Sequence, residues 1–189
     1  MKTIIHIGAD KCGSSSIQKF LTLNPELSSN FGKLKYACIE KNSQNIYIGN
    51  EINYLINKQT KIVTNSNLPN LKNLSNNEIG SIKQIISKEK SDLIFSSEGY
   101  YHYLKHKNNF NFLTDLVCPK NSKRVLEILM FIRAPARWIN SAWWQWGAWS
   151  PKKQNFDTWL VSAIKKTNWH KYILMLLNYK NINKFSIYP

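Results

Sequence analysis

The amino-terminal stretch of this chain constrains its fold more than any other part. Thr3 to Ile7 is a run rich in β-branched residues and long enough for one buried strand. Gly8 and Gly13 bracket the turn that follows, and a segment with helical spacing of its apolar residues begins near Ser14. A strand, a glycine-bounded loop and a helix start, in this order, bring backbone N–H groups and the positive end of the helix dipole to one place. The stretch therefore predicts a cradle for a phosphate-like anion.

The lysine of this loop departs from the most familiar phosphate-binding pattern. Gly8 and Gly13 have the spacing of G-x-x-x-x-G-K-[ST], but Ser14 follows the second glycine and Lys11 lies inside the loop. A nucleoside-triphosphate enzyme of the usual kind needs Lys and Ser/Thr after that glycine, to reach the terminal phosphates and Mg²⁺. Two interpretations stay open on this stretch alone: a phosphate loop with its lysine moved, or an ordinary strand–turn–helix with a chance lysine.

The sequence from His6 to Gln18 resembles the 5′-phosphosulfate loop of bacterial-type sulfotransferases that use 3′-phosphoadenosine 5′-phosphosulfate (PAPS). The family form Lys-[Thr/Ser]-Gly-Thr-Thr appears here with a cysteine in place of one hydroxyl residue and with serines in place of the threonines. The resemblance implies a cofactor contact from each residue of the loop: Lys11, Cys12, Gly13, Ser14, Ser15 and Ser16. It further implies that Lys11 stabilises the transferring group and that no metal is needed.

A second stretch resembles the 3′-phosphate motif of the same family, Arg-x-Pro-x-x-x-x-x-Ser. Val125 to Ile132 is predicted to be a buried strand, Arg133 stands at its exit, Pro135 starts a helix and Ser141 lies further along that helix. The resemblance implies that Arg133 and Ser141 hold the 3′-phosphate, since the guanidinium fork can bind two oxygens at once. Arg137 is either a second basic group near that phosphate or a surface residue.

The remaining pattern predicts an α/β protein whose parallel sheet is flanked by helices on both faces, and the resemblance implies a P-loop-like sulfotransferase fold. Further strands are predicted at Leu34 to Cys38, Asp92 to Phe95 and Ile182 to Tyr188. Helices are predicted at Ile46 to Ile56, after the capping box Ser75-x-x-Glu78, at Phe110 to Val117, Pro135 to Trp146, Phe156 to Lys166 and Trp169 to Tyr179. Thr60 to Leu74, rich in Asn, is predicted to be a loop.

Sulfuryl transfer to a hydroxyl or amine needs a base for the acceptor's proton, and Glu98 is the first candidate. It follows a predicted strand, where ligands of such sheets bind. Glu98 is otherwise a solvated acid in a loop or an acid that caps a helix, and in that case His102 is the candidate base. His6 has apolar neighbours typical of a core histidine. A group of four tryptophans has two open interpretations: the side chains stack on the ring of a sugar or phenol acceptor, or they fill the core. The group consists of Trp143, Trp144, Trp146 and Trp149.

Composition limits the other function classes. The net charge of +15 would favour nucleic acid, but only Arg124, Arg133 and Arg137 among the 26 basic residues are arginines, and the lysines are scattered. We therefore expect an anionic cofactor rather than nucleic acid as the partner. The chain has no apolar run of transmembrane length and no signal peptide, and its three widely spaced cysteines indicate a reducing compartment, so a cytoplasmic protein is expected.

These observations predict a single sulfotransferase-like domain over residues 1–189 that moves a sulfuryl group from PAPS to a small-molecule or carbohydrate acceptor. Members of the family usually continue beyond the last predicted strand with a segment that closes over the nucleotide. The resemblance therefore leads to the expectation of a carboxy-terminally truncated member with weak cofactor binding. The alternatives from other classes are a P-loop nucleotide or small-molecule kinase, which needs Mg²⁺ and a carboxylate partner, and a basic nucleic-acid-binding protein.

Overall fold

A seven-stranded, mostly parallel sheet organises the computed structural model. The structure describes residues 1–8, 11–30, 32–40, 45–58, 73–104, 106–149 and 155–189. The strands are β1 (Lys2–Gly8), β2 (Glu26–Ser29), β3 (Gly32–Ile39), β4 (Ile46–Ile48), β5 (Asp92–Ser97), β6 (Val125–Phe131) and β7 (Lys184–Tyr188). The helices are α1 (Ser14–Leu23), α2 (Ile52–Lys58), α3 (Asn76–Lys88), α4 (Tyr100–Tyr103), α5 (Lys107–Val117), α6 (Pro135–Ala142), α7 (Phe156–Ile164) and α8 (Trp169–Leu177).

The strand order is β2-β3-β5-β1-β6-β7, and β4 pairs with β3. Strands β3, β5, β1, β6 and β7 run parallel, whereas β2 and β4 pair antiparallel with β3. After β1 the chain leads to one side of the sheet, and after β6 it leads to the other. A crevice between diverging connections of this kind is where ligands of open α/β sheets bind. The topology therefore places the loops after β1 and β6 at the expected position of a site.

Two apolar clusters lie on opposite faces of the sheet, because successive strand residues point to alternate sides. On one face, Ile5 and Ile7 of β1 pack in the larger cluster, which includes residues of α3 to α8. On the other face, Ile4 joins a smaller cluster with α1 and α2. The predicted α/β class with a sheet flanked by helices is confirmed, but the sheet is mostly rather than wholly parallel, because β2 and β4 pair antiparallel with β3.

Several element boundaries differ from the prediction. The prediction of a single helix from Ile46 to Ile56 is wrong. Strand Ile46–Ile48 pairs with β3, a 3-10 turn follows, and α2 begins only at Ile52. The helix predicted from Pro135 to Trp146 ends as α-helix at Ala142 and continues as one π-helical turn, Trp143–Gly147. Strand β2 was not predicted. The loop predicted at Thr60 to Leu74 lies, up to residue 72, outside the described residues.

The capping box before α3 is present as predicted. The Ser75 hydroxyl accepts from the Glu78 backbone N–H at 3.3 Å, and the Glu78 carboxylate accepts from the Ser75 backbone N–H at 2.7 Å. These bonds satisfy helix-start donors that would otherwise lack partners. Within the described ranges, none of the helices has the length and apolar character needed to cross a lipid bilayer.

Candidate active site at the ends of strands β1, β5 and β6

The last residue of β1, Gly8, lies so close to the start of helix α1 that a larger residue would clash there. A Cβ added at Gly8 would lie 2.5 Å from the Ser14 Cβ, closer than such atoms pack. Gly13 has φ 86°, a left-handed conformation that favours glycine, and it precedes α1. No side chain caps this helix start and no acidic residue lies in its first turn. The positive end of α1 is thus left without a negative group from the helix itself.

Lys11 is held from two sides within this loop. Its backbone has φ 65°, which is uncommon for a residue with a side chain and is typical of tight functional loops. The Arg133 Nη1 donates to the Lys11 carbonyl at 3.2 Å, so the loops after β1 and β6 are joined across the crevice. The Lys11 Nζ lies 5.6 Å from the ring centroid of Trp146, within the range of a cation–π interaction.

The Glu98 carboxylate lies against the start of α1. Glu98 directly follows β5, which neighbours β1 in the sheet. The Ser14 Oγ donates to the Glu98 Oε1 at 2.5 Å, and the Ser15 Oγ donates to the same oxygen at 3.2 Å. The half-buried Glu98 carboxylate therefore accepts hydrogen bonds from two of the hydroxyl groups that were expected to bind the cofactor.

These groups enclose a cavity of about 160 Å³. Of the described residues, its lining consists of Lys11, Gly13, Ser14, Ser15, Glu98, Gln145 and Trp146. Whole-ligand pockets usually have about 300–1,000 Å³, so this cavity suits one tetrahedral anionic group rather than a complete nucleotide. Larger cavities, of about 680 and 470 Å³, lie away from the crevice and include neither Lys11 nor Glu98. We assign the site by its chemistry rather than by size.

The residues of the second motif are not among the described residues that line this cavity. Arg133 is half-buried, with its guanidinium turned to the Lys11 carbonyl, and its own carbonyl accepts from the Trp169 Nε1 at 3.1 Å. Ser141 is half-buried near the end of α6, which begins with Pro135 as predicted. Arg137 is exposed on the first turn of that helix. A 3′-phosphate bound by Arg133 would lie outside the small cavity.

The other candidate residues take different positions. Cys12 is half-buried and packs against the apolar core, Ser16 is exposed, and His102 is exposed and is not part of the described cavity wall. His6 is fully buried, its Nδ1 lies 2.7 Å from the Ser96 Oγ, and burial lowers the pKa of its imidazole to about 4. This agrees with a core histidine that stays neutral near pH 7.

Of the cavity residues, Gln145 was missed by the sequence analysis, whereas Trp146 was considered there only within the group of four tryptophans. The π-helical turn after α6 presents Gln145 and Trp146 to the loop, and Gly147 closes that turn where a Cβ would lie 2.0 Å from the Trp143 ring. Such π turns occur frequently at functional sites. Of the tryptophans, Trp143 packs on Phe156 and Trp159, whereas Trp144 and Trp149 are exposed. A glycine after a dense aromatic run was the one local signal of this turn.

Comparison of the chain with protein-family models, with curated proteins and with solved structures found no match.

Proposed function

We propose that this protein is a PAPS-dependent sulfotransferase of the P-loop-like type, acting on a hydroxyl or amine of a small-molecule or carbohydrate acceptor. The observation that carries the proposal is the meeting of the two sequence motifs across the crevice, through the hydrogen bond from Arg133 to the Lys11 carbonyl. A chance lysine and a surface arginine would have no reason to lie together at the switch point of the sheet.

The loop supports binding of the donor's sulfuryl–phosphate end. One tetrahedral anion fits the cavity between Lys11, the hydroxyls of Ser14 and Ser15, and the uncapped start of α1. Arg133, on the far side of the same loop, is the group available for the 3′-phosphate. The site thus offers two separate positions for negative charge, as a nucleotide with phosphates at two ends requires.

The proposed reaction is an in-line transfer. The acceptor oxygen or nitrogen attacks the sulfur, the bond from sulfur to the phosphate oxygen breaks, and 3′-phosphoadenosine 5′-phosphate (PAP) leaves. Lys11 stabilises charge on the transferring group and on the leaving phosphate. Glu98 takes the acceptor's proton, and His102 is the less favourable base because it lies outside the described cavity wall.

A kinase-like nucleotide-binding protein is the second candidate, and the bond between Ser14 and Glu98 favours it. A carboxylate after one strand, hydrogen-bonded to a hydroxyl at the start of the loop helix, could hold Mg²⁺ together with nucleotide phosphates. Against it, the loop lacks a lysine directly after Gly13. The two candidates differ in their dependence on metal.

Thermal shift separates the candidates. We expect PAP to raise the melting temperature in EDTA, and ATP with Mg²⁺ or an oligonucleotide to have little effect. Turnover with labelled PAPS and an acceptor panel follows, where Glu98→Gln should lower the rate by about 10²–10⁴-fold. If only ATP with Mg²⁺ stabilises the protein, the kinase-like proposal replaces the sulfotransferase proposal. If only the oligonucleotide stabilises it, both proposals are overturned.

A further inference from the structure

The negative group nearest to the anion cradle belongs to the protein itself. The first turn of α1 has neither an acidic residue nor a capping side chain, so the helix start is open to an anion. Glu98, from the end of the neighbouring strand, fills this place with its Oε1, which accepts from both Ser14 and Ser15. Of the described residues in the cavity wall, Lys11 is the one cationic group and Glu98 the one anionic group.

We infer that the Glu98 carboxylate is an internal ligand of the cradle, and that an external anion binds only after Glu98 has moved off the serine hydroxyls. Each hydroxyl has a single proton to donate, so Ser14 cannot donate to Glu98 and to a bound phosphate at the same time. Two negative groups on one helix start also repel each other in a half-buried site. The inference deepens the proposed function, on which it rests for the identity of the anion.

This contact has a consequence for the order of events. While the donor site is empty, the Oε1 of this carboxylate is engaged by two hydroxyl donors and is turned to the serines rather than to an acceptor. Binding of the donor's phosphate to the hydroxyls releases the carboxylate from both serines. Glu98 then becomes a competent base only when the donor is in place, so the acceptor reacts after donor binding.

Binding of two probes by calorimetry tests the inference: inorganic pyrophosphate, and PAP, both in EDTA at low salt. Glu98→Gln keeps the shape and removes the charge, and Glu98→Ala removes the group. We expect both variants to bind pyrophosphate at least about tenfold more tightly than the wild type, because a like charge has been taken from the cradle. Glu127→Gln is the matched control, since it removes the same charge from a glutamate that forms an ion pair with Lys2. This variant should bind pyrophosphate as tightly as the wild type.

Each outcome decides the matter. Unchanged or weaker pyrophosphate binding by the Glu98 variants overturns the inference. The inference also fails if the wild type binds pyrophosphate only in the presence of Mg²⁺ and Glu98→Gln does not bind it at all. Failure of every form to bind pyrophosphate overturns it as well. If the variants gain pyrophosphate affinity but no form binds PAP, the internal ligand stands and the sulfotransferase proposal fails. If PAP binds all forms equally, the donor site stands and the internal ligand does not.

Discussion

The Arg133 side chain joins the two loops that diverge at the middle of the sheet, and this makes it the most informative residue to change. Its Nη1 reaches the Lys11 carbonyl, while Arg137, a turn away on the surface, is exposed. An arginine at such a position can bind a phosphate through its remaining N–H groups without releasing the loop, because the guanidinium carries five donors.

Arg133→Ala should weaken PAP binding by about 2–5 kcal/mol, the range for truncating one side of a desolvated charge pair. Adenosine 5′-phosphosulfate, which lacks the 3′-phosphate, should bind almost as before. Calorimetry with both ligands measures the difference, and Arg137→Ala serves as the exposed control. Equal losses for both ligands would mean that Arg133 only supports the loop and does not bind the 3′-phosphate.

Gly8→Ala tests the close approach on which the cradle depends. The new Cβ would lie 2.5 Å from the Ser14 Cβ, so the helix start must shift. We expect a loss of about 1–3 kcal/mol in the free energy of unfolding, as for overpacking, together with loss of PAP binding. Gly80→Ala, in α3 with open space around it, should instead stabilise the protein by up to about 1 kcal/mol. PAP affinity at the wild-type level in Gly8→Ala would disprove the packing argument.

Among the elements, strand β1 is an apolar core strand that also contains a buried titratable group, close to the start of the loop. His6 is fully buried, contacts Ser96, and packs edge-on against the ring of Phe131. Burial lowers the pKa of its imidazole to about 4 from 6.5. Because the unfolded chain binds the proton at a higher pH than the folded one, the strand contributes a pH-dependent part of the stability.

The free energy of unfolding should therefore fall as the pH drops from about 6.5 towards 4, by up to about 3 kcal/mol from His6 alone. Urea unfolding between pH 7.5 and pH 4.5 measures this. His6→Asn, which does not titrate there, should flatten the curve relative to the wild type, although its stability at pH 7.5 is lower. His170→Asn, at an exposed histidine, is the matched control for the substitution itself. Parallel curves for the wild type and His6→Asn would contradict the assignment.

At the scale of the whole molecule, the two ends of the sheet have separate tasks. The candidate site lies at the carboxyl ends of β1, β5 and β6, whereas the buried Arg124 holds the amino ends together. Its guanidinium donates to the Thr3 hydroxyl and to the carbonyls of Lys2, Glu89 and Ser91. One arginine thus ties β1 to the segment that leads into β5.

Arg124→Met should lower the free energy of unfolding by about 3 kcal/mol or more, since one buried and three part-buried acceptors lose their donor. Under conditions where the variant is folded, its PAP affinity should equal that of the wild type, because the change lies at the opposite end of the sheet. Arg137→Met, on the surface, should change stability by less than about 0.5 kcal/mol. Denaturant unfolding and calorimetry on the same samples check both statements, and a large affinity loss in folded Arg124→Met would contradict the separation of the two ends.

Elements whose stability is local can be recognised in the amino-acid sequence. The β-branched run before Gly8, the capping box at Ser75 and the proline at the start of α6 each act on their own neighbours in the chain, and the structure places a strand or a helix at each. Strands β1 and β5 were also recognisable, because a strand that is buried on both faces has a nearly continuous apolar sequence. The spacing of Gly8 and Gly13 likewise predicted a tight turn before a helix.

Contacts between groups that are distant in the sequence depend on how the whole chain folds. Glu98 reaches Ser14 from 84 residues away, and Trp146 comes to Lys11 through a π turn that helical spacing does not reveal. The short strand Ile46–Ile48 and the polar strand Glu26–Ser29 exist because β3 offers them partners. Strand pairing and side-chain contacts between elements are long-range interactions, so their free energy depends on the folded neighbour and leaves little trace in the local sequence.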